Sequence, residues 1–169
     1  MIEGTAKELG EAVSAIVWSL RPGSARLDRL VALLSERALR LFPGVGGAGS
    51  LEIRVPDPVP RARLSTEVVR AVQAIALEAL HNAARHGDAK TVVLGLEPAG
   101  RGWRLTVQDD GVGLDAESVG GAGLGSGIEG MRRRAEAIGG QLALTETPGG
   151  GVTVVLEFRS TVSGPARGR

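Results

Sequence analysis

A glycine-saturated stretch between two regular regions constrains this chain more than any other feature. Eight glycines fall within residues 107–130, at positions 111, 113, 120, 121, 123, 125, 127 and 130. A strand-like run that ends in two carboxylates precedes them, and a helical pattern that begins near Ile128 follows. Glycine lets the backbone approach a ligand closely and adopt positive φ, and ordering it costs conformational entropy. The stretch therefore predicts either a mobile lid over a phosphate-bearing ligand or a flexible surface linker.

Composition and charge narrow the class of protein. A chain of 169 residues that is 43% hydrophobic predicts one globular domain, with an aliphatic core because the aromatic residues are two Trp and two Phe. The net charge of +1 gives no basic field for nucleic acid, and the absence of cysteine excludes disulfides and cysteine chemistry. Without an apolar run of membrane-spanning length or a signal peptide, we expect a cytoplasmic domain that does not itself contact a membrane. A membrane-anchored parent protein is compatible with this.

The periodicity of apolar residues predicts a mixture of helices and strands. Two strand pairs are joined by glycine- and proline-containing turns, which indicates a mixed but mostly antiparallel sheet. We expect an α+β fold, a two-layer sandwich in which three helices cover one face of the sheet. The helices are predicted over residues 5–20, 24–42, 64–85 and 128–138, and the strands over 51–55, 90–96, 103–107, 141–146 and 152–158.

The helix over residues 64–85 carries polar side chains toward its apolar face. Glu78 and Asn82 lie one turn apart, beside the stripe of residues that faces the core. Burying such groups without partners is costly, so they have internal partners or line a wet cavity. Two oxygen-bearing side chains on one ridge suit a hard cation such as Mg²⁺, which also takes oxygens from water and phosphate.

Two features on either side of the glycine stretch point to a nucleotide. Asp109 ends a predicted strand, where a carboxylate can accept a hydrogen bond from the exocyclic amine of a purine. The following helix, with its N-terminus predicted at Gly127–Ile128, offers backbone N–H groups and a partial positive charge to an anion. Together they favour the lid over the linker.

Three motifs resemble those of a known family. The segment Glu78–His86 resembles the asparagine box in the ATP-binding domain of sensor histidine kinases, Asp109–Gly113 resembles their first glycine box, and Gly125–Met131 resembles the second. The order is similar to that of the gyrase, Hsp90, histidine kinase and MutL ATPases, which have the Bergerat-type ATP-binding fold. Trp18–Pro22 and residues 130–140 and 148–151 resemble a short-lid subgroup found in nitrate- and lipid-sensing two-component systems.

The resemblance, which covers about residues 16–158, implies a role for each matching residue. Glu78 would polarise water or act as general base, and Asn82 would ligate Mg²⁺. Asp109 would bind the adenine amino group, whereas Val152 stands where relatives commonly carry a threonine near the base. The other expected ATP-binding residues lie near the phosphates, in the glycine turn or in the lid, and are Arg85, His86, Gly111, Gly113, Gly123, Leu124, Gly125, Ser126, Gly127 and Ile128.

The resemblance also implies a division of the chain. Residues 1–22 would be the end of the second helix of a missing dimerisation and phosphoacceptor domain, residues 23–159 the ATP-binding domain, and residues 160–169 a flexible tail. The implied function is to bind Mg-ATP and donate its γ-phosphate to a histidine of that missing domain, for relay to a response regulator. The alternatives are a stand-alone nucleotide-dependent regulatory module and a serine kinase of the anti-sigma-factor type.

Overall fold

Three helices and five strands make up the part of the chain that the structure describes. The computed structural model covers residues 25–44, 49–86, 88–113 and 124–160, and for His86 and residues 124–126 it describes the backbone alone. The predicted helix over residues 5–20, Gly123 in the lid and the tail from residue 161 lie outside the described residues. The elements are α1 (Leu27–Leu41), β1 (Ser50–Arg54), α2 (Thr66–His86), β2 (Thr91–Ala99), β3 (Gly102–Asp109), α3 (Leu124–Ala137), β4 (Gln141–Glu146) and β5 (Val152–Arg159).

The strands form one sheet in the order β1-β2-β3-β5-β4. β1 pairs with β2 in parallel, whereas the other three neighbouring pairs are antiparallel. The described helices pack on the same face, where they share one hydrophobic cluster with the strands. The predicted α+β sandwich, with a mixed but mostly antiparallel sheet under three helices, is confirmed. Within the described residues no helix is both long and apolar enough to span a membrane.

Alternation along the central strands separates the two faces of the sheet. In β3 and β5 every second side chain is buried against the helices, and the residues between them are half-buried on the opposite face. Burying such apolar surface contributes roughly 25 cal/mol per Å² to stability. The largest fully buried side chains are Leu27, Leu30, Leu34, Val69, Val72, Ile75, Leu80, Val92, Leu94, Met131 and Leu156.

Helix α2 lies at the centre of the helical layer and begins at a clear sequence signal. Ser65 precedes its first residue, and the Ser65 Oγ accepts a hydrogen bond from the N–H of Val68 at 3.1 Å, which satisfies one of the free donors of the first turn. The chain before it is tied to α1, because the N–H of Leu64 donates to the carbonyl of Ala25 at 2.9 Å. These bonds fix where α2 starts, and therefore which residues its later turns present.

Several element boundaries differ from the sequence prediction by one to four residues, and two of these differences change a turn or a motif. The turn expected over residues 98–102 is tighter, because Pro98 and Ala99 remain in the ladder opposite Trp103 and Gly102. Helix α3 begins at Leu124 rather than near Ile128, so the second glycine motif forms its first turn. Glycine disfavours the helix by about 1 kcal/mol per residue, which is why the sequence indicated a loop there; packing of α3 against α2 overrides that preference.

The topology brings the functional segments to one end of the sheet. The C-terminal end of α2 leads within a few residues into β2, and Val92 near the start of β2 pairs with Asp109 at the end of β3. We call this end of the sheet, where β2 starts and β3 ends, the Asp109 end. The opposite end holds the β2–β3 turn and the last residues of β5, and we call it the hairpin end. Helix α3 terminates near Gln141, whose partner Glu157 lies toward the hairpin end. Its N-terminus therefore points back toward the Asp109 end.

Candidate functional site

Asp109 is a buried carboxylate with one oxygen already bonded. It continues the alternation of β3, so its side chain faces the helical layer and is only 7% exposed. Its Oδ1 accepts hydrogen bonds from the N–H groups of Gly111, at 3.0 Å, and Val152, at 3.2 Å. Within the described chain Oδ2 accepts no hydrogen bond. Asp109 is thus held in place through Oδ1 while Oδ2 is available to a ligand.

The neighbouring carboxylate, Asp110, forms hydrogen bonds within the sheet instead. It is exposed, and its Oδ1 accepts the N–H groups of Lys90 and Thr91, each at 2.8 Å. The hydrogen bond from Thr91 is the main reason why the pKa of Asp110 lies below its ordinary value, and the bond from Lys90 acts in the same direction. Asp110 therefore ties the start of β2 to the end of β3, which leaves Asp109 as the carboxylate that faces the interior.

A glycine run before β5 supports the first glycine box. Gly149, Gly150 and Gly151 all have positive φ, at 95°, 118° and 93°. A side chain on Gly151 would overlap the backbone of Asp109, and one on Gly150 would come within 2.9 Å of the Gly111 carbonyl oxygen. The two segments consequently pack backbone on backbone. Gly113, one of the residues expected to bind ATP, also has a positive φ of 86°. A Cβ added to it would be 3.6 Å from the Gly151 carbonyl oxygen, so it lies beside Gly151.

Thr147 completes this support, and neither it nor Gly150 and Gly151 were among the expected site residues. It is buried; its N–H donates to the Gly151 carbonyl at 3.0 Å and its carbonyl accepts the N–H of Gly150 at 3.0 Å. Its hydroxyl shares a hydrogen bond of 2.9 Å with that of Thr153. The signal in the sequence is the run of three consecutive glycines, since a hairpin turn needs only one or two residues at positive φ.

A cleft adjoins this packed turn. Its volume is about 430 Å³, and Val112 and Gly113 form one side while the segment from Glu146 to Gly151 forms the other. Val112 is 66% exposed, which is unusual for a large apolar side chain in this fold. The cleft therefore opens beside the backbone that holds Asp109, with an apolar side chain at its rim.

The predicted polar residues of α2 lie at the same end of the molecule. Glu78 and Asn82 are both half-buried, one helical turn apart, whereas Arg85 is exposed and His86 is the last residue of the helix. The Glu78 carboxylate lies against Gly127 of α3, so closely that any side chain at position 127 would overlap Oε1. The structure therefore brings the asparagine-box helix and the second glycine motif into contact.

The first turn of α3 is the second element that can contact a ligand at this end of the sheet. Its four leading N–H groups belong to Leu124, Gly125, Ser126 and Gly127, and they have no partners within the helix. Ile128 follows and is buried in the core, which anchors the turn. A helix of 14 residues carries a partial positive charge at this end. The turn can therefore receive an anion close to Glu78, which contacts it.

The arrangement defines the chemistry that this end of the fold can perform. It presents a carboxylate oxygen for an amine, a helix N-terminus for an anion, and one amide and one carboxylate on the helix that packs against that N-terminus. In the described residues no three His, Asp or Glu side chains come together as a metal site. A divalent ion held by Asn82 would consequently need oxygens from the bound anion and from water, as Mg²⁺ commonly does.

Comparison with known proteins identifies a family and several similar proteins. Residues 67–162 match the model of the family described as histidine kinase-, DNA gyrase B-, and HSP90-like ATPase. The signal transduction histidine-protein kinase/phosphatase UhpB of Salmonella typhimurium is 29% identical over 168 residues, which cover 94% of this chain and 31% of UhpB. The nitrate/nitrite sensor protein NarX of Escherichia coli K12 is 34% identical over 99 residues, or 59% of this chain and 16% of NarX. The chain thus spans less than a third of these curated relatives.

A solved structure supports the fold. The histidine kinase domain of the blue-light activated histidine kinase EL346 from Erythrobacter litoralis superposes with a TM-score of 0.63 at 21% sequence identity. The superposition covers 81% of this chain and 64% of that domain. The helical layer and the sheet of the two proteins therefore have the same architecture.

Proposed function

Because the chain belongs to the histidine kinase-, DNA gyrase B- and HSP90-like ATPase family, we propose that it is the ATP-binding catalytic domain of a sensor histidine kinase. Its relatives UhpB and NarX carry the names of a histidine kinase and a sensor protein. The observation that carries the proposal is the geometry of Asp109, which is fixed through Oδ1 and open at Oδ2. That oxygen would accept a hydrogen bond from the 6-amino group of adenine.

The remaining contacts of the nucleotide follow from the position of Asp109. Gly111 and Gly113 would let the chain turn beneath the base, with Val152 beside it. The phosphates would lie toward the first turn of α3, whose free N–H groups favour anions. The lid, including Gly123, would close over them, with Arg85 and His86 nearby. Apart from the lid, which lies outside the described residues, these roles rest on the position of the element that bears each residue.

Mg²⁺ fits this donor set. Asn82 would supply an amide oxygen, and the phosphates and water would supply the others. When bound, the ion would neutralise negative charge on the phosphates and so favour nucleophilic attack. Asn82 is half-buried and one turn from Glu78 on the same helix, so both side chains would face the phosphates.

The phosphoryl transfer would take place between this domain and another. A histidine of the parent's dimerisation domain would attack the γ-phosphorus, so that an N–P bond forms while the bond to the β,γ-bridging oxygen breaks and ADP leaves. Glu78 would accept the proton of the imidazole as general base. Catalysis would then consist mainly of positioning and charge stabilisation. We further propose that the phosphoryl group passes to a response regulator and that these reactions take place in the cytoplasm.

The test combines nucleotide binding with transfer. Mg-ATP should raise the melting temperature by mass action, equivalent to about 2.7 kcal/mol at a hundredfold excess over Kd, and Mg-GTP should raise it much less. The chain should then label a histidine of the parent's dimerisation domain with γ-³²P. No thermal shift at millimolar ATP would contradict the proposal. Binding without histidine labelling would instead favour a nucleotide-dependent regulatory module or a serine kinase.

A further inference from the structure

A second cavity lies at the hairpin end of the sheet, far from Asp109. Its volume is about 440 Å³, it opens to solvent, and it is lined by the β2–β3 turn, the last residues of β5 and the turn between α3 and β4. β3 has eight residues and runs from one end to the other, so the two regions are about 25 Å apart. A volume of this size is within the range of small-molecule sites, about 300–1,000 Å³.

The lining of the cavity carries more positive than negative charge. It includes three arginines, Arg101, Arg104 and Arg159, and one carboxylate, Glu157. A second carboxylate, Glu97, pairs with Arg104 beside the lining, so one positive charge remains in excess. Such local concentration of cations in a recess, rather than along an exposed face, focuses the potential on an anion.

Arg104 forms a fixed floor whose charge is already compensated. Its guanidinium donates to Glu157 from Nε at 3.0 Å and from Nη2 at 2.6 Å, and to Glu97 from Nη1 at 2.9 Å. The three side chains occupy neighbouring strands in one row, since Arg104 pairs with Glu97 in β2 and with Glu157 in β5. The two carboxylates outweigh the single charge of Arg104 by one negative charge, so all of the excess positive charge comes from the other two arginines.

Arg101 and Arg159 are those two residues, and the fold places them side by side. Gly102, next to Arg101 in the chain, pairs with Arg159 across the β3–β5 ladder. Opposite residues of this kind have Cα atoms about 5 Å apart. A side chain at position 102 would overlap the Phe158 carbonyl, so the backbones of the two strands pack directly against each other here. Both side chains are exposed, and neither forms an ion pair with any residue that the structure describes.

We propose that this cavity binds a small anion with two or more negative charges, carried by phosphate or carboxylate groups. The planar guanidinium presents its donors in a fork that matches either group, so Arg101 and Arg159 would each hold one anionic end. The Arg104 ion-pair row would keep the floor in place. This site is separate from the nucleotide region and does not depend on the function proposed above.

The experiment is a titration of the full chain followed by amide resonances in ¹⁵N-labelled protein at low ionic strength. The probes are inorganic pyrophosphate and citrate, which present phosphate and carboxylate groups respectively. We expect saturable shifts of Gly100, Gly102 and Gly139, whose backbones surround the cavity. The probe that binds more tightly identifies the preferred group. Absence of a saturable shift at these residues for both probes at about 10 mM would overturn the proposal.

A pair of matched variants tests the assignment to particular side chains. The double substitution Arg101→Gln and Arg159→Gln should weaken binding at least about tenfold, because it removes two charge-assisted contacts. The control Arg29→Gln and Arg70→Gln removes the same charge from exposed positions on α1 and α2, and it should change the affinity less than about twofold. Equal weakening in both variants would show that the anion responds to net charge only, and would refute the site.

Discussion

The carboxylate of Glu78 lies directly against the backbone of Gly127, which joins α2 to the first turn of α3. The contact brings together a polar residue of the central helix and a glycine of the loop-like second motif. An added Cβ at Gly127 would overlap the Glu78 carboxylate, which would have to shift, so the glycine has a packing role besides its conformational freedom. The two helices can approach closely at the end where an anion would bind.

Alanine substitutions on α3 test this contact. At Gly130 an added methyl group meets only the flexible end of Arg134, so Gly130→Ala should stabilise the domain by about 0.5–1 kcal/mol through helix propensity. Gly127→Ala offers the same gain but must displace Glu78, and we expect the gain to be lost. Urea denaturation measures both variants.

The same pair can be examined in a second background. In a Glu78→Ala protein the obstacle at position 127 is absent, so Gly127→Ala should recover the stabilisation that Gly130→Ala shows. This double-mutant cycle isolates the contact between the two residues. If Gly127→Ala stabilises the wild-type domain as much as Gly130→Ala does, the contact between Glu78 and Gly127 does not affect the free energy of unfolding.

Substitution of Asp109 tests the recognition of the base. In Asp109→Asn, the amide oxygen can still accept the N–H groups of Gly111 and Val152, but the other position becomes a donor. It would face the adenine amino group donor to donor, so ATP affinity should fall by about 10-fold to 100-fold. Isothermal titration calorimetry gives the affinity. Asp110→Asn is the matched control and should leave it within about twofold, because Asp110 contacts the start of β2 instead.

The glycine run before β5 should respond unequally to alanine. Gly149 and Gly151 have similar positive φ values, but a methyl group at 149 meets nothing within 4 Å whereas one at 151 overlaps the Asp109 backbone. Gly149→Ala should therefore cost about 1–2 kcal/mol from backbone strain alone. Gly151→Ala should cost clearly more, or prevent folding, because backbone atoms cannot move aside. Chemical denaturation and the soluble yield distinguish them; equal costs would disprove the close packing.

Asp110 should contribute a pH-dependent share of stability. Hydrogen bonds from the Thr91 and Lys90 N–H groups hold its folded-state pKa below the ordinary value. Its contribution is thus fully present above the unfolded-state pKa of about 4, and it is lost as the pH falls through the folded-state pKa. The stability difference between wild type and Asp110→Asn should shrink from pH 7 toward pH 3 in urea denaturation. Asp57→Asn, at an exposed position, controls for the loss of one charge; a difference that grows toward acid would contradict the assignment.

Local patterns in the sequence predicted much of the fold. Alternation from Trp103 to Val107 located β3, and its continuation by one more step identifies Asp109 as inward-facing. The apolar stripe that includes Val72 and Ile75 located α2 and placed Glu78 beside it. These predictions succeeded because one face of each element is buried, and burial leaves a period of 2 or 3.6 in the sequence.

Features that depend on distant segments could not be predicted in this way. The contact of Gly151 with Asp109 joins backbones more than 40 residues apart and has no period. Helix α3 starts earlier than its glycines indicated because α2 supports its first turn. Arg101 and Arg159 likewise come close together only after β5 enters the sheet, where Arg159 pairs with Gly102. In each case tertiary packing determines the local structure.

The order of the strands has a consequence for synthesis on the ribosome. β5 is the last described strand in the chain, yet it lies inside the sheet between β3 and β4. Until β5 emerges, β3 pairs with β2 alone and lacks its second neighbour. Asp109 likewise lacks the N–H donor that Val152 provides. Domains fold as units when their last element becomes available. A nascent chain that ends at β4 would carry the three described helices but an incomplete carboxylate site, so the ability to hold a ligand would arise in the same step that completes the sheet.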